Sequence, residues 1–165
     1  MILTGSQHDS AQELATQLLG ADNNRRVEIL DLRGSSTPDL KGAFAEWYAQ
    51  SKRTKCRKYL YSLSIVPHSS QGDISHTQYY DLIERIEKKL GLSGQPRAVV
   101  LHVHNDGLQR WYIVWSRIRK TRAVNFSHDR QKLHRIVQEF ARDHGITLPP
   151  DMEKHGSPVV RAGKS

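Results

Sequence analysis

The sequence predicts an α+β fold, a two-layer sandwich in which an antiparallel sheet carries helices mainly on one face. Two observations lead to this prediction. Helical and strand-like patterns alternate along the chain, in the order α-β-α-β-α-β-β-α. Residues 97–118 form two apolar, strand-like runs separated by the turn sequence Asn105-Asp106-Gly107, which is typical of a hairpin. Neighbouring strands joined by a short turn are antiparallel, so this hairpin is expected to anchor the sheet.

The first half of the chain supplies two helices and two strands. Residues 9–20 place their leucines on one helical face and end at Gly20, which predicts a helix. Residues 26–32 alternate between apolar and polar side chains, which favours a short strand. Thr37 and Pro38 have the chemistry of an N-cap and a first helical residue, so a second helix is expected to begin there. The apolar run at 59–66 predicts the next strand.

The second half supplies a long helix, the hairpin and a last helix. The segment 75–90 carries an apolar stripe at helical spacing, with Ser75 as the expected N-cap and Gly91 as the stop. The hairpin strands follow at 97–104 and 110–118. A last amphipathic helix is expected from about residue 127 to 144. These elements predict one domain over residues 1–148, with 149–165 as a disordered tail or linker.

The charge balance favours an acidic partner. The 165 residues include 25 Lys and Arg against 17 Asp and Glu, a net charge of +8, and the sequence pI is about 9.8. Nucleic acid is the commonest partner of such a surplus. The lone Cys56 excludes an internal disulfide and a thiolate metal cluster. No apolar run approaches the ~18 residues of a membrane span, and the N-terminus does not resemble a signal peptide. A cytoplasmic protein of bacterial type is therefore expected.

Two basic clusters are candidates for binding nucleic acid. The first holds five basic residues in seven and runs directly into the aromatic side chains of Tyr59 and Tyr61. Basic residues interleaved with aromatic rings suit single-stranded nucleic acid, although both clusters could equally be solvated loop ends. The candidate residues are Lys52, Arg53, Lys55, Arg57 and Lys58 in the first cluster, and Arg117, Arg119, Lys120 and Arg122 in the second.

The hairpin carries the most distinctive spacing. His102 and His104 lie two residues apart on a strand, so both imidazoles point to the same face. Two such histidines can share a divalent metal, with Asp106 in the turn as an oxygen ligand, but they are also compatible with a solvated sheet face. Arg110 and Tyr112 of the partner strand are expected on the same face. An arginine can hold a phosphate bidentately, and a tyrosine can stack on a base or act as a nucleophile.

Six segments of the chain carry a family resemblance. They are MILTGSQ (1–7), VEILDLRG (27–34), TKCRKYLYSLS (54–64), IERIEKKLGL (83–92), GQPRAVV (94–100) and VWSRI (114–118). In this order they resemble the plasmid mobilisation relaxases, which are MobA-type DNA-nicking proteins of the HUH endonuclease fold. The resemblance extends over nearly the whole chain, to about residue 150. It implies a cytoplasmic DNA-processing protein that acts at an origin of transfer, with other conjugation proteins as further partners.

The resemblance also implies a mechanism that this chain matches only in part. In the family, a tyrosine attacks a DNA phosphate, and a divalent metal (Mg²⁺ or Mn²⁺) held by three histidines polarises that phosphate. The first histidine position is met by His104, or by His102 if the turn has one extra residue. The other two positions hold Arg110 and Tyr112, which are poor substitutes as metal ligands. Arg110 could replace part of the metal's charge, and Tyr112 could itself attack.

The nucleophile departs from the family pattern as well. The family places its tyrosine in the first helix, but residues 9–20 contain none, and Gln17 and Leu18 stand where it is expected. Tyr48, at the end of the second helix, is the nearest substitute, although its spacing equally suits core packing.

Three hypotheses about function therefore stay open. The first is an active origin-nicking strand transferase that uses Tyr48, Arg110 and Tyr112. The second is a non-catalytic module that binds single-stranded DNA on a retained relaxase fold, with metal binding weak or absent. The third is an adaptor domain of a conjugation complex. The missing histidine pair favours the second hypothesis over the first, and fold alone does not decide function.

Overall fold

The computed structural model describes residues 1–20, 25–67, 73–105, 107–148 and 159–161. The helices are α1 (Ala11–Leu19), α2 (Leu40–Ser51), α3 (His76–Leu90) and α4 (Asp129–His144). The strands are β1 (Ile2–His8), β2 (Arg25–Arg33), β3 (Leu60–Val66), β4 (Arg97–His104), β5 (Gln109–Ser116), β6 (Ile118–Arg119), β7 (Arg122–Ala123) and β8 (Val159–Arg161). Among these helices, none is long and apolar enough to cross a membrane.

The main sheet has the strand order β2-β4-β5-β3-β1-β8. The first five strands pair antiparallel, and β8 joins β1 in parallel. The β4–β5 hairpin lies inside the sheet, because β2 pairs with β4 and β3 pairs with β5. The predicted α+β fold with a hairpin in an antiparallel sheet is confirmed. The second hairpin strand ends at Ser116, and Ile118 belongs to a separate two-stranded ribbon, β6–β7.

The helices lie on both faces of the sheet, which gives three layers where two were expected. On β5, Trp111, Ile113 and Trp115 join the core beneath α3 and α4, while Val114 joins the core beneath α1 and α2. The central strands are buried on both sides as a result: residues 97–102 of β4 are all buried. The prediction that the two tryptophans and Ile113 lie under helices is confirmed.

The ends of the helices follow from local chemistry. Ser75 caps α3 in a reciprocal capping box with Gln78, and α3 stops at Gly91, whose φ of 76° suits glycine. For α2 the predicted cap at Thr37 is wrong. Asp39 is the N-cap, because its Oδ1 accepts a hydrogen bond of 2.6 Å from the Gly42 amide, and the helix begins at Leu40.

The sequence patterns missed strands β1, β6, β7 and β8. β1 has the sequence ILTGSQH, in which polar side chains outnumber apolar ones, so its alternation does not predict a half-buried strand. β6 and β7 have two residues each, too few for any periodicity. β8 lies within the segment expected to be a tail, and the rest of that segment, residues 149–158 and 162–165, lies outside the described residues. The domain boundary near residue 148 stays a prediction.

A buried ionic network fixes the hairpin to α3. The Glu87 carboxylate accepts hydrogen bonds from Arg33 at 2.6 Å, Trp115 at 2.8 Å and Arg97 at 3.1 Å, all at Oε2. Arg97 also pairs with Asp31 of β2 at 2.9 Å. The network links β2, β4 and β5 to one helix, so the strands that carry the candidate site are held in a single rigid register.

Candidate functional site

The hairpin face brings together the residues that sequence reasoning selected. His102 lies directly opposite Arg110 in the β4–β5 register, and Tyr112 lies two pairs further along, opposite Val100. The His102 and Tyr112 rings are 4.5 Å apart between centroids. His104 lies at the turn end of β4, where its amide donates to the Leu108 carbonyl at 2.9 Å. His102, His104, Arg110 and Tyr112 therefore share one face, the face covered by α1 and α2.

His102 is held by the first helix. Its side chain is 2% exposed, and Nε2 lies 2.8 Å from the Leu18 carbonyl oxygen near the end of α1. A carbonyl oxygen only accepts hydrogen bonds, so this ring nitrogen carries the proton. A protonated nitrogen has no lone pair for a metal, so only Nδ1 of His102 could act as a ligand. Nε2 of His102 therefore ties α1 to the sheet.

The donor set on this face does not fit a three-histidine metal centre. His104 Nε2 and Arg110 Nε are both buried without a hydrogen-bond partner in the described residues. The first is a suitable nitrogen ligand, but the second belongs to a permanent cation on the same face. Asp106, the expected oxygen ligand, lies outside the described residues. In the part of the chain that the structure describes, no group of three or more His, Cys, Asp or Glu residues is arranged to hold a metal ion.

A polar cavity of about 300 Å³ lies beside this face, between α1 and the sheet. Its lining includes His102 and Tyr112 of the hairpin and, from α1, Gln17 and Leu18, the two residues where the resemblance leads us to expect the family's tyrosine. The structure therefore brings the expected nucleophile position to the hairpin site. An amide and an alkyl side chain occupy it, and neither can attack a phosphate.

Sequence reasoning missed the part of this cavity that β1 and β3 supply. Thr4, Ser6 and His8 alternate along β1, and Ser62 lies opposite them on β3. His8 Nε2 and Ser62 Oγ are 2.6 Å apart. Burial lowers the pKa of His8, and the carboxylates of Asp9 and Glu13 offset that effect only in part. His8 is thus a neutral imidazole at neutral pH. The period-two spacing of Thr4, Ser6 and His8 is a sequence feature that could have indicated that these polar side chains share one face of a strand.

Arg117 joins the two basic clusters. Its Nη1 donates to the Lys58 carbonyl at 2.7 Å, its backbone amide donates to the Tyr59 carbonyl at 2.8 Å, and its Nη2 donates to the Val124 carbonyl at 2.8 Å. The loop after α2 and the β6–β7 ribbon therefore lie side by side, although some 60 residues separate them. The Arg117 side chain therefore makes its hydrogen bonds within the protein, at the contact between the two clusters.

The remaining cluster residues form the basic surface. All of them are exposed except Lys58, which is half-buried: Lys52, Arg53, Lys55, Arg57, Lys58, Arg119, Lys120 and Arg122. Arg119 also donates to the Gly91 and Ser93 carbonyls at 3.1 and 3.2 Å, which anchors the ribbon to the end of α3.

Tyr48 lies apart from the hairpin face. It is 48% exposed at the C-terminal end of α2, its ring is 5.6 Å from the Tyr59 ring, and the Lys52 ammonium lies 4.8 Å from its centroid. Tyr48 lines a second cavity that has no lining residue in common with the first. The structure therefore does not bring Tyr48 together with Arg110 and Tyr112.

Comparison with known families agrees with this architecture. The family model of the relaxase nuclease domain, MobA/VirD2-like, matches residues 8–146, from the end of β1 to just beyond α4. The chain belongs to this relaxase family, which confirms the predicted resemblance and indicates a relaxase-like role in plasmid mobilisation. Comparison with curated proteins and with solved structures finds no match.

Proposed function

We propose that this relaxase-family protein binds single-stranded DNA during plasmid mobilisation and does not cleave it by the tyrosine and three-histidine mechanism. One observation carries the proposal. The hairpin positions that the resemblance assigns to a histidine pair hold Arg110 and Tyr112, on the same sheet face as His102. The site keeps its position in the fold and has a different donor set.

Arg110 gives the altered site a means of holding a phosphate. Its Nε is buried without a partner in the described residues, on the face it shares with His104. A guanidinium offers five N–H donors in a fixed fork that matches phosphate oxygens. Arginine can therefore supply positive charge at the place where the family uses a metal ion.

The basic surface supports binding along the DNA backbone. Seven exposed cations and the half-buried Lys58 lie on the loop after α2 and on the β6–β7 ribbon, which Arg117 holds together. Exposed lysines and arginines bind phosphates and release counterions, so affinity falls as the salt concentration rises. Cytoplasmic DNA is the partner that this surface fits, and other conjugation proteins are further proposed partners.

The second candidate is a strand transferase that uses Tyr112. This candidate is supported by the cavity that Tyr112 lines together with Gln17, which stands where the resemblance leads us to expect the nucleophile. Attack of the Tyr112 hydroxyl on a DNA phosphate would form a tyrosine–phosphate bond and break the phosphodiester bond to the adjacent 3′ oxygen, which takes up a proton and leaves as a 3′-hydroxyl end, whereas binding alone leaves the DNA intact.

Fluorescence anisotropy with labelled single-stranded oligonucleotides tests the proposal. We expect saturable binding whose logarithmic affinity falls linearly with the logarithm of salt concentration, by ~0.7 for each phosphate neutralised. Addition of Mn²⁺ is expected to leave the affinity unchanged. Absence of binding at low salt would eliminate the proposal and favour an adaptor that contacts only proteins.

A further inference from the structure

A second cavity lies between α1 and α2, beside the start of the basic loop. Its volume is about 600 Å³, twice that of the hairpin cavity. Gln12 of α1 lines one side, Lys41, Phe44 and Tyr48 of α2 line the other, and Tyr59 lies at the start of β3. Neither the family's site nor the proposed phosphate contact at Arg110 uses this cavity.

The cavity presents an aromatic ring to solvent. Phe44, Trp47 and Tyr59 are at most 2% exposed, whereas the adjacent Tyr48 is 48% exposed. The spacing of Tyr48 fits the apolar stripe of α2, but the ring lies outside the core. An exposed aromatic ring is a platform on which an unpaired base can stack, and such stacking tolerates any base sequence.

Positive charge surrounds this ring. The Lys52 ammonium is 4.8 Å from the Tyr48 ring centroid, and Lys41 lines the same cavity. Arg53 and Lys55 follow in the exposed loop. A base stacked on Tyr48 would therefore have Lys41 and Lys52 close by to contact the phosphates on either side of its nucleotide. Aromatic platforms flanked by basic residues are typical of single-strand binding grooves.

Polar groups that line the cavity suit the edge of a base. Tyr59 supplies a hydroxyl, and burial raises its pKa to about 12, so it remains a hydrogen-bond donor at neutral pH. Asp9 lies close enough to act electrostatically on that hydroxyl and supplies acceptor oxygens. Nucleobase edges carry both donors and acceptors, and this pair complements them.

We propose that the cavity between α1 and α2 is a nucleobase pocket for single-stranded DNA, in which the base stacks on Tyr48 and the flanking phosphates contact Lys41 and Lys52. The proposal rests on the proposed function and adds a specific contact to it. It assigns Tyr48 to stacking, a role for which the phenol hydroxyl is not needed.

Two substitutions at one position separate stacking from hydroxyl chemistry. Tyr48→Phe keeps the ring and should bind single-stranded oligonucleotides as the unaltered protein does. Tyr48→Ala removes the ring and should weaken binding about five-fold or more, since it eliminates one base–aromatic stack. Ile29→Ala, which truncates a similarly exposed side chain on β2, serves as the matched control and should have no effect. Binding is measured by anisotropy, and thermal melting verifies that each variant is folded.

Two further probes report on the base itself. An oligonucleotide with 2-aminopurine should lose fluorescence on binding to the unaltered protein and to Tyr48→Phe, but not on binding to Tyr48→Ala. Duplex DNA of the same sequence hides its bases, so its affinity should be the same for all three proteins.

The possible failures are distinguishable. If the unaltered protein binds single strands and Tyr48→Ala binds equally well, the pocket is refuted and the proposed function stands. If Tyr48→Phe loses as much affinity as Tyr48→Ala, the hydroxyl acts and stacking is refuted. If the unaltered protein binds no single-stranded DNA, the proposed function and the pocket are both refuted.

Discussion

At the scale of single residues, the hairpin carries other side chains than the histidines that the resemblance leads us to expect. Arg110 and Tyr112 lie where the resemblance places two histidines, and Nε2 of His102 donates to the Leu18 carbonyl. His104 supplies one nitrogen donor on this face, and His102 keeps the lone pair of Nδ1 when Nε2 carries the proton. A metal held by at most two imidazoles beside a permanent cation binds more weakly than one held by three, because affinity depends on the number and geometry of the ligands.

Restoring the histidine pair should therefore restore metal binding. We expect Arg110→His combined with Tyr112→His to raise the Mn²⁺ affinity at least ten-fold in isothermal titration calorimetry, as a cation is removed and two imidazoles join His104. DNA cleavage should not appear, because α1 carries Gln17 and Leu18 where the resemblance leads us to expect the nucleophile. Tight Mn²⁺ binding by the unaltered protein would contradict this account of the site.

The lowered pKa of His8 should make the folded state less stable as the pH falls. Burial lowers its pKa below 6.5, so the unfolded chain binds a proton more readily than the folded chain as the pH falls. The free energy of unfolding should therefore be maximal above pH 6.5 and decrease as the pH falls toward the folded-state pKa. His134, whose pKa burial also lowers, contributes in the same direction.

Urea denaturation at a series of pH values measures this dependence. His8→Gln retains a hydrogen-bonding partner for Ser62 and removes the titration, so the loss of stability between about pH 7 and pH 5 should become smaller. Stabilising contributions of Asp81 and Asp143, whose pKa values are lowered by hydrogen bonds to His144 and to Arg85 respectively, disappear only in more acidic solution. An identical pH profile for His8→Gln would show that His8 does not titrate differently on folding.

The neighbours of a functional side chain could be predicted only where the strand or helix that carries it had itself been predicted. The shared face of His102, Arg110 and Tyr112 follows from strand alternation and a short turn, and the structure has it. His8 and Ser62 were not foreseen as a pair, because β1 itself was not predicted and 54 residues separate them. Long-range hydrogen bonds of this kind depend on sheet order, which local patterns do not contain.

At the scale of elements, the hairpin and the long helices were predictable, and their arrangement in layers was not. Helix α3 has both an apolar stripe and explicit end signals at Ser75 and Gly91. The division of helices between the two faces had one available signal: the consecutive apolar residues Ala98, Val99, Val100 and Leu101 are typical of a strand buried on both sides. Strict alternation would have indicated a sheet with one exposed face.

The Glu87 network should contribute strongly to the position of the hairpin. Glu87→Ala leaves Arg97, a largely buried cation, with one fewer carboxylate, and removes the acceptor for Trp115. Breaking a buried ion pair in this way costs about 3–5 kcal/mol, which urea unfolding would detect as a large decrease in midpoint. Glu87→Gln keeps one acceptor oxygen and should cost less. If Glu87→Ala lowered the free energy of unfolding by less than about 1 kcal/mol, solvent would have to reach the network and screen its charges.

The loop after α2 should account for much of the salt dependence of DNA binding. Replacing Lys52, Arg53, Lys55 and Arg57 together by Ala should reduce the slope of logarithmic affinity against logarithmic salt by roughly 0.7 for each phosphate that these side chains neutralise. The matched control removes the same charge from the opposite layer, at the exposed Lys88, Lys89, Arg135 and Arg142. It should leave the slope nearly unchanged. Equal effects in both variants would indicate a general dependence on net charge, not a defined surface.

At the scale of the whole molecule, one sheet carries two cores. The core beneath α3 and α4 contains the hairpin tryptophans and the Glu87 network, which hold the sheet together. The core beneath α1 and α2 lies next to both cavities and to Tyr48. The candidate DNA-contacting residues on the α1 and α2 side therefore lie on the opposite side of the sheet from the Glu87 network. The relaxase family model covers both layers, since it matches residues 8–146.

The most direct measurement compares binding with cleavage in one mixture. The unaltered protein is incubated with Mn²⁺ and a random-sequence pool of single-stranded DNA, which includes any short recognition site, and is analysed on native and denaturing gels. We predict a shifted complex on the native gel and no protein–DNA adduct on the denaturing gel. An adduct that survives denaturation, and that disappears in Tyr112→Phe or Tyr48→Phe, would contradict the account and identify the nucleophile.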